Sequence, residues 1–340
     1  MGRSRVLPRK RGRVACAVAS LLLVGACSSG TVATARPSPS PSLASPSSSP
    51  SAEPLQRIER SLPSPIEETA AVAAAGRLYV MGGFNAAGAS LNIVYVFDGT
   101  SWSVGPRLPL PLDHPSAATL DDRVYIAGGH SNGRDSARVF RLDEDRWSEL
   151  APMHFARGGH ALIALGGKLY AIGGNTSRGN VAIGESFDPK TNAWHVTSPM
   201  PVPRNHVAGF VLGDAVCVAG GRSPTTARVD CLIVKTGLWS RSFAVIPLPT
   251  SGGGAASFTN GDVLVAGGED ASESRIVDQF AFERGGMWVR TQNMLVPRHG
   301  FQLAIFEGRA WACGGGTAPG LHPVATCTSL GDGLPALANG

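Results

Sequence analysis

"KLYAIGGNTSRGNVAIGESFDPKTNAW", residues 168–194, strings together an apolar run, two adjacent glycines, a polar stretch and a lone tryptophan. One copy would read as an ordinary strand and turn. The chain repeats it. Paired glycines stand at Gly82-Gly83, Gly128-Gly129, Gly173-Gly174, Gly220-Gly221, Gly267-Gly268 and Gly314-Gly315, with a period of 45–47 residues. Trp102, Trp147, Trp194, Trp239 and Trp288 follow the first glycine of five pairs after 19–21 residues. A short apolar run precedes each pair, as in "RLYVMGG", "RVYIAGG" and "DVLVAGG". Before each run comes a tight-turn dipeptide such as Ala75-Gly76, Asp121-Asp122, Gly166-Gly167 or Glu307-Gly308. Such dipeptides suit two-residue hairpin loops.

Each unit therefore reads as strand, hairpin, strand ending in Gly-Gly, loop, strand, turn, and a strand carrying Trp. No segment sustains a 3.6-residue period, so helix is nearly absent. A lone four-stranded sheet cannot bury both faces, and successive sheets must stack. Glycine, lacking Cβ, lets a neighbouring sheet or a large ring approach the backbone. The Trp then fills space between sheets, burying about 150–250 Å², worth several kcal/mol at about 25 cal/mol per Å². Radial stacking of such sheets makes an all-β propeller.

The doubled glycine, the aromatic residue three places before it and the later Trp together resemble the kelch repeat. The resemblance covers residues 55–330 and implies a six-bladed β-propeller of kelch type. The sixth unit lacks a Trp-bearing strand, because after Thr328 the chain ends in "SLGDGLPALANG". The missing strand is found at the other end. "LQRIERSLPSPIEE" (55–68) aligns with "SWSVGPRLPLPLDH" (101–114), and Gln56 takes the Trp place. An N-terminal strand is thus expected to complete the last blade and close the ring.

Residues 1–26 read as an export signal, with six basic residues ahead of the apolar stretch Val14–Ala26. Thirteen apolar residues are too few for a span, which needs about 20. "VGAC" resembles the lipobox of bacterial lipoproteins, which makes Cys27 the lipidated residue; cleavage after Ala26 by ordinary signal peptidase is the other reading. Both place the protein outside the cytoplasm, and the first makes it an envelope lipoprotein held to the membrane by a lipid anchor only. Residues 27–54 are nearly all Ser, Pro, Ala and Thr and read as a disordered, extended stalk. Residues 331–340 form a C-terminal tail. The formal net charge of +5 belongs to the leader: without residues 1–26 there remain 24 basic against 25 acidic residues. Nothing here supports nucleic-acid binding, which needs a basic face on the folded domain. The chain is expected to be a monomer.

Cys217, Cys231, Cys313 and Cys327 form two pairs fourteen residues apart, each with one cysteine on a Gly-Gly strand and one on the next. Antiparallel neighbours in an oxidising compartment predict the disulfides Cys217–Cys231 and Cys313–Cys327; buried free thiols are the alternative. No Cys-x-x-Cys or Cys/His cluster points to zinc. Some kelch propellers, the galactose-oxidase type, hold copper with tyrosines and histidines. Here Tyr79, Tyr125 and Tyr170 occupy one repeat column explained by packing, and the copper set is missing. Phosphate-binding glycine loops, HExxH and Gly-x-Ser-x-Gly are also missing. No cofactor is expected.

The kelch resemblance implies a ligand face built from two loop sets. The first joins blades and reads "PIEETA", "PLDHPS", "ARGGHA", "PRNHVA", "PTSGGG" and "PRHGFQ". Arg157, Arg204 and Arg298 recur in it, with His160 and His299 nearby, and recurrent arginines more often brace inter-blade hydrogen bonds than bind ligands. Two places after the arginine column stand Glu68, His114, Gly159, His206, Gly252 and Gly300. The second set, after Gly-Gly, adds Arg134, Arg178, Arg222, Glu269 and Asp270. Irregular residues, which a symmetric scaffold does not require, are the recognition candidates: Glu68, His114, His206, Arg178, Arg222 and Glu269. Carboxylate, imidazole and guanidinium together suit a polar or anionic group. A Glu68–His114–His206 metal site needs spread loops to hold ligands at about 2 Å, and none is expected. The sequence thus predicts a non-enzymatic binding module for a protein, peptide or glycan. The alternative is an exported carbohydrate enzyme like the sialic-acid mutarotases among kelch propellers, which needs only an acid–base pair near an anomeric centre.

Overall fold

The computed structural model describes residues 55–241 and 245–331. The leader, Cys27, the stalk and the tail beyond Gly331 lie outside the described residues. Among the described residues every regular element is a strand. The strands form six antiparallel blades, the third with a short extra strand at Gly179–Asn180, and a separate two-stranded ribbon of His130–Ser131 with Arg134–Asp135. The first blade, for example, comprises Ala70–Ala74, Arg77–Met81, Val94–Phe97 and Trp102–Val104. The innermost strands of the next five are Ser116–Leu120, Gly158–Leu165, Ala208–Leu212, Gly254–Ser257 and Leu303–Phe306.

The hairpins form because their residues tolerate the left-handed backbone that such turns need. Ala75 and Gly76 have φ of 50° and 66°, and Glu307 and Gly308 have 50° and 72°. Each blade is packed on both faces, so its second strand alternates little: Leu78, Tyr79, Val80 and Met81 are all buried. The apolar core divides into six clusters, one between each pair of neighbouring blades. Between the first two lie Val72, Met81, Leu112, Ile126 and Phe140.

The paired glycines staple one blade to the next. In every pair the second N–H donates across the gap, as from Gly83 to Leu112 O at 2.7 Å and from Gly129 to Arg157 O at 2.8 Å. The last, Gly315, reaches Ile66 O at 2.8 Å and so crosses from the sixth blade to the first. The first glycine lies flat against the same carbonyl. A Cβ on Gly128 would stand 2.4 Å from Arg157 O, and one on Gly220 2.4 Å from Thr250 O. The tryptophans tie the opposite neighbour: the indole N–H of Trp147 donates to Pro106 O at 2.8 Å and that of Trp194 to Ala151 O at 2.9 Å.

Gln56–Glu59 pairs with Cys327–Gly331 as the fourth strand of the sixth blade, in the register Gln56↔Leu330 to Glu59↔Cys327. The ring is closed as the alignment predicts, and the last strand runs one residue past the expected end at 330. Both predicted disulfides are present, joining residues directly opposite on the second and third strands of the fourth and sixth blades.

The arginine column is a brace within each of its blades, where the sequence predicts one between blades. Arg157, Arg204 and Arg298 are fully buried. Arg157 bonds Glu185 at 2.8 Å and the Gly173 and Ile183 carbonyls at 3.1 and 2.8 Å. Arg204 bonds Asp230 at 2.8 Å and the Gly220 carbonyl at 2.7 Å. These bonds hold the Gly-Gly strand against the loop that enters the same blade.

Candidate functional site

The six blade-joining loops meet at one end of the axis. At that mouth Glu68, His114, Gly159, His206, Gly252 and Gly300 form a chain of backbone hydrogen bonds around the centre. The N–H of His114 donates to Glu68 O at 3.1 Å, Gly159 to His114 O at 3.0 Å, and His206 to Gly159 O at 2.6 Å. Gly252 donates to His206 O at 2.9 Å and Gly300 to Gly252 O at 2.7 Å. The tight circle forces all six residues to a positive φ, between 51° and 69°. Glycine adopts that backbone freely, whereas other residues are strained there by about 1–2 kcal/mol. Three positions carry the glycine that fits. The other three carry Glu68, His114 and His206.

Their side chains converge. His114 Nε2 lies 3.4 Å from Glu68 Oε2, and His206 Nε2 lies 4.0 Å from the same oxygen. One ligand-type atom from each residue fits within a 4.8 Å cluster. The imidazoles of His114 and His206 pack edge to face with centroids 5.0 Å apart. Spacing alone gave no reason to expect this closeness.

A second ring of short antiparallel bridges surrounds the first. It pairs the residue before each mouth position with the residue after each glycine pair: Asp113 with His130, Asn205 with Arg222, Ser251 with Glu269, His299 with Gly316. Asp113 Oδ1 accepts from His114 Nδ1 at 2.7 Å, and Asn205 Oδ1 accepts from His206 Nδ1. Arg222 donates to His206 Nε2 at 2.6 Å and approaches Glu269 and Glu273 at 3.4 and 3.1 Å. His299 Nδ1 lies 3.7 Å from Glu68 and 3.9 Å from Glu269.

This surrounding separates the titrations. Burial opposes a charge on His114, but the Glu68 charge and the Asp113 hydrogen bond outweigh it and raise its pKa. Burial, the Arg222 charge and the neighbouring imidazoles push His206 well down, so it stays neutral. Burial also raises Glu269, and raises Glu67 to about 7.

A cavity of about 70 Å³ on the axis is lined by Glu68, His114, His206, Gly252 and Gly300 together with inner-strand residues such as Ala161, Ala208 and Ala255. In its wall Gln302 spans from the sixth blade to the Ala117 N–H and C=O at 3.2 and 2.6 Å. A cavity of this size takes an ion, a water or the tip of a side chain; small-molecule sites usually exceed about 300 Å³.

Five of the six sequence candidates therefore meet at the mouth: Glu68, His114 and His206 in the centre, Arg222 and Glu269 beside them. Arg178 does not join them. It lines a separate groove with Asp135, His154 and Phe155. Arg134, on the short strand Arg134–Asp135, and Asp270 also sit outside the cavity lining. Asp113 and Asn205, which orient the two imidazoles, were missed by sequence reasoning, although each directly precedes its histidine. His160 lies lower in the channel wall.

Residues 51–221 match the family model of the KLHDC2/KLHL20/DRC7 Kelch-repeats domain. The chain is 27% identical over 292 residues to Kelch-like protein terF of Aspergillus terreus, covering 76% of this chain and 63% of that protein. It is 30% identical to Kelch-like protein 25 of Xenopus tropicalis (53% and 33% covered) and 24% identical to Beta-scruin of Limulus polyphemus (63% and 26% covered). The chain thus spans less than two thirds of each of these relatives. The solved structure of YjhT superposes with a TM-score of 0.68 at 18% identity, over 78% of this chain and 95% of that one, which shows a shared fold.

Proposed function

We propose, from the premise that this chain belongs to the kelch-repeat family of β-propellers, that it is a recognition module whose mouth face takes a protein, peptide or glycan. The observation that carries this reading is the asymmetry of the mouth. A sixfold scaffold closes perfectly well on glycine, yet three positions hold strained polar residues that face one another, with Arg222 and Glu269 alongside. The partner lies over the face and places one polar group at the centre, because the cavity of about 70 Å³ is too small to enclose a sugar ring. That size favours group recognition over a buried mutarotase site. Export through residues 1–26 and anchoring at Cys27 would present the face outside the cytoplasm, with the stalk as spacer.

Affinity capture from an envelope extract tests the reading, using the full-length chain beside an Arg222→Ala, Glu269→Ala variant. Loss of the captured partner in the variant supports it, and undiminished capture removes this face from consideration. Lipid labelling of the parent and of Cys27→Ser tests the anchor; equal labelling of both overturns it. Anomer exchange followed by NMR tests the enzymatic alternative, and exchange at the uncatalysed rate removes it.

A further inference from the structure

We infer that the propeller mouth binds a divalent transition-metal ion through His114 Nε2, His206 Nε2 and the Glu68 carboxylate. The inference stands apart from the identity of any macromolecular partner.

The ligand atoms are nearly in place. Bonds of about 2.0–2.2 Å put the atoms around a metal roughly 3–3.5 Å apart. The 3.4 Å between His114 Nε2 and Glu68 Oε2 meets this, and the 4.0 Å between His206 Nε2 and Glu68 Oε2 needs only a small side-chain rotation.

The imidazoles are also aimed. Metal-binding histidines usually donate their other ring N–H to an acceptor that fixes tautomer and orientation. Asp113 Oδ1 accepts from His114 Nδ1 at 2.7 Å. Asn205 Oδ1 accepts from His206 Nδ1, and the Asn205 amide is itself fixed by donating to Asn180 Oδ1 at 2.6 Å. Each acceptor holds the proton on Nδ1 and turns Nε2 inward. His299 repeats the device with its nitrogens exchanged. Its Nε2 donates to Ala318 O at 3.1 Å and its Nδ1 lies 3.7 Å from Glu68 Oε1, as a neighbouring fourth donor.

The backbone gives an independent reason. Glu68, His114 and His206 hold φ of 53°, 51° and 52° where glycine would relieve the strain. Strain of this kind persists where the side chain is needed. Two imidazoles and a carboxylate suit iron, cobalt, nickel or zinc better than calcium or magnesium.

The Arg222 side chain competes for the site. The Arg222 guanidinium donates to the His206 Nε2 lone pair at 2.6 Å, while its other nitrogen lies 3.4 Å from Glu269 and 3.1 Å from Glu273. Binding exchanges this guanidinium for the ion at Nε2, and the two carboxylates retain Arg222. Removing Arg222 therefore tightens binding instead of weakening it.

The test is calorimetric titration of Zn²⁺ and Co²⁺ into the full-length chain, purified in detergent without a histidine tag and stripped with chelator. The parent binds one ion, and Co²⁺ develops a ligand-field spectrum. His114→Gly and His206→Gly each weaken binding by at least about 10-fold. Both variants fold, because glycine already fills three equivalent positions, and thermal melting checks this. Glu68→Gln, which keeps size and shape, also loses affinity. Arg222→Met gains several-fold. Absence of stoichiometric binding by the parent overturns the inference, as does unchanged affinity in the His114 and His206 variants. Unchanged affinity in Arg222→Met overturns the exchange.

Discussion

The side-chain amide of Gln56 grips the backbone at Asn293, donating to its carbonyl at 2.8 Å, while its oxygen accepts the Leu295 N–H at 2.9 Å. At the matching place in other blades an indole N–H does the first half of this task, as Trp239 does to Ser198 O at 2.9 Å. The amide replaces the ring's hydrogen bond and adds an acceptor, but it cannot replace the ring's apolar area. The closing strand is therefore held chiefly by its pairing with Cys327–Gly331. Gln56→Ala should cost about 1 kcal/mol, since two exposed hydrogen bonds are lost. Deleting residues 55–60 should cost far more, because it bares the edge of the sixth blade. Thermal melting of both variants checks the ordering, and equal small losses would contradict it.

A glycine whose Cβ would meet backbone should be costlier to replace than one facing open space. Gly128 has φ of 67° and a Cβ there would lie 2.4 Å from Arg157 O; Gly133 has φ of 76° and nothing within 4 Å. Gly128→Ala adds an inter-blade clash to backbone strain and should cost about 2–4 kcal/mol. Gly133→Ala bears the strain alone, about 1 kcal/mol. Urea denaturation of the pair separates the two effects.

The fold was legible because its signals are local and repeated. Gly128 must be small for the same reason as Gly82 and Gly173, so the period reports one constraint many times. Gln56 was legible by elimination, as the single strand left over at one end fills the single vacancy at the other. The site was legible only in part. Glu68, His114 and His206 stand out because they break the glycine column of the mouth. Arg178 and Arg222 both follow a glycine pair, but Arg222 sits directly beside it and points back to the mouth, while Arg178 lies four residues on and lines another groove. Sequence distance from the pair does not give direction. Asp113 and Asn205 stayed hidden because their role depends on a positive φ at the next residue, which turns each imidazole back onto its predecessor.

His160 should make the propeller sensitive to acid. Burial, the Arg157 charge and His130 push its pKa down to about 3, and neither ring nitrogen has a partner among the described residues. The folded protein therefore refuses a proton that the unfolded chain accepts near pH 6.5. Stability is full above that pH and declines as pH falls toward 3, by about 1.4 kcal/mol per unit from this residue. His160→Leu keeps the site apolar and removes the titration. Its stability between pH 6 and pH 4 should fall less steeply than that of the parent, and parallel curves would show that other groups govern the acid response.

The two disulfides should contribute alike to stability and differently to opening. Each closes a loop with the same sequence separation of 14, so each restricts the unfolded chain equally, by about 3 kcal/mol. Their surroundings differ. Cys217–Cys231 lies in a blade whose four strands are continuous in sequence, from Ala208 to Arg241. Cys313–Cys327 lies in the blade that borrows its fourth strand, and Glu59 pairs directly with Cys327. Replacing either pair by serine should lower the melting temperature by a similar amount. The sixth-blade variant should in addition lose protection against hydrogen exchange in residues 56–59 well below its melting temperature, because the docking strand Cys327–Gly331 is no longer pinned to its neighbour. The fourth-blade variant should keep that protection until the whole ring unfolds. If both variants protect residues 56–59 equally, closure does not depend on the cystine beside it.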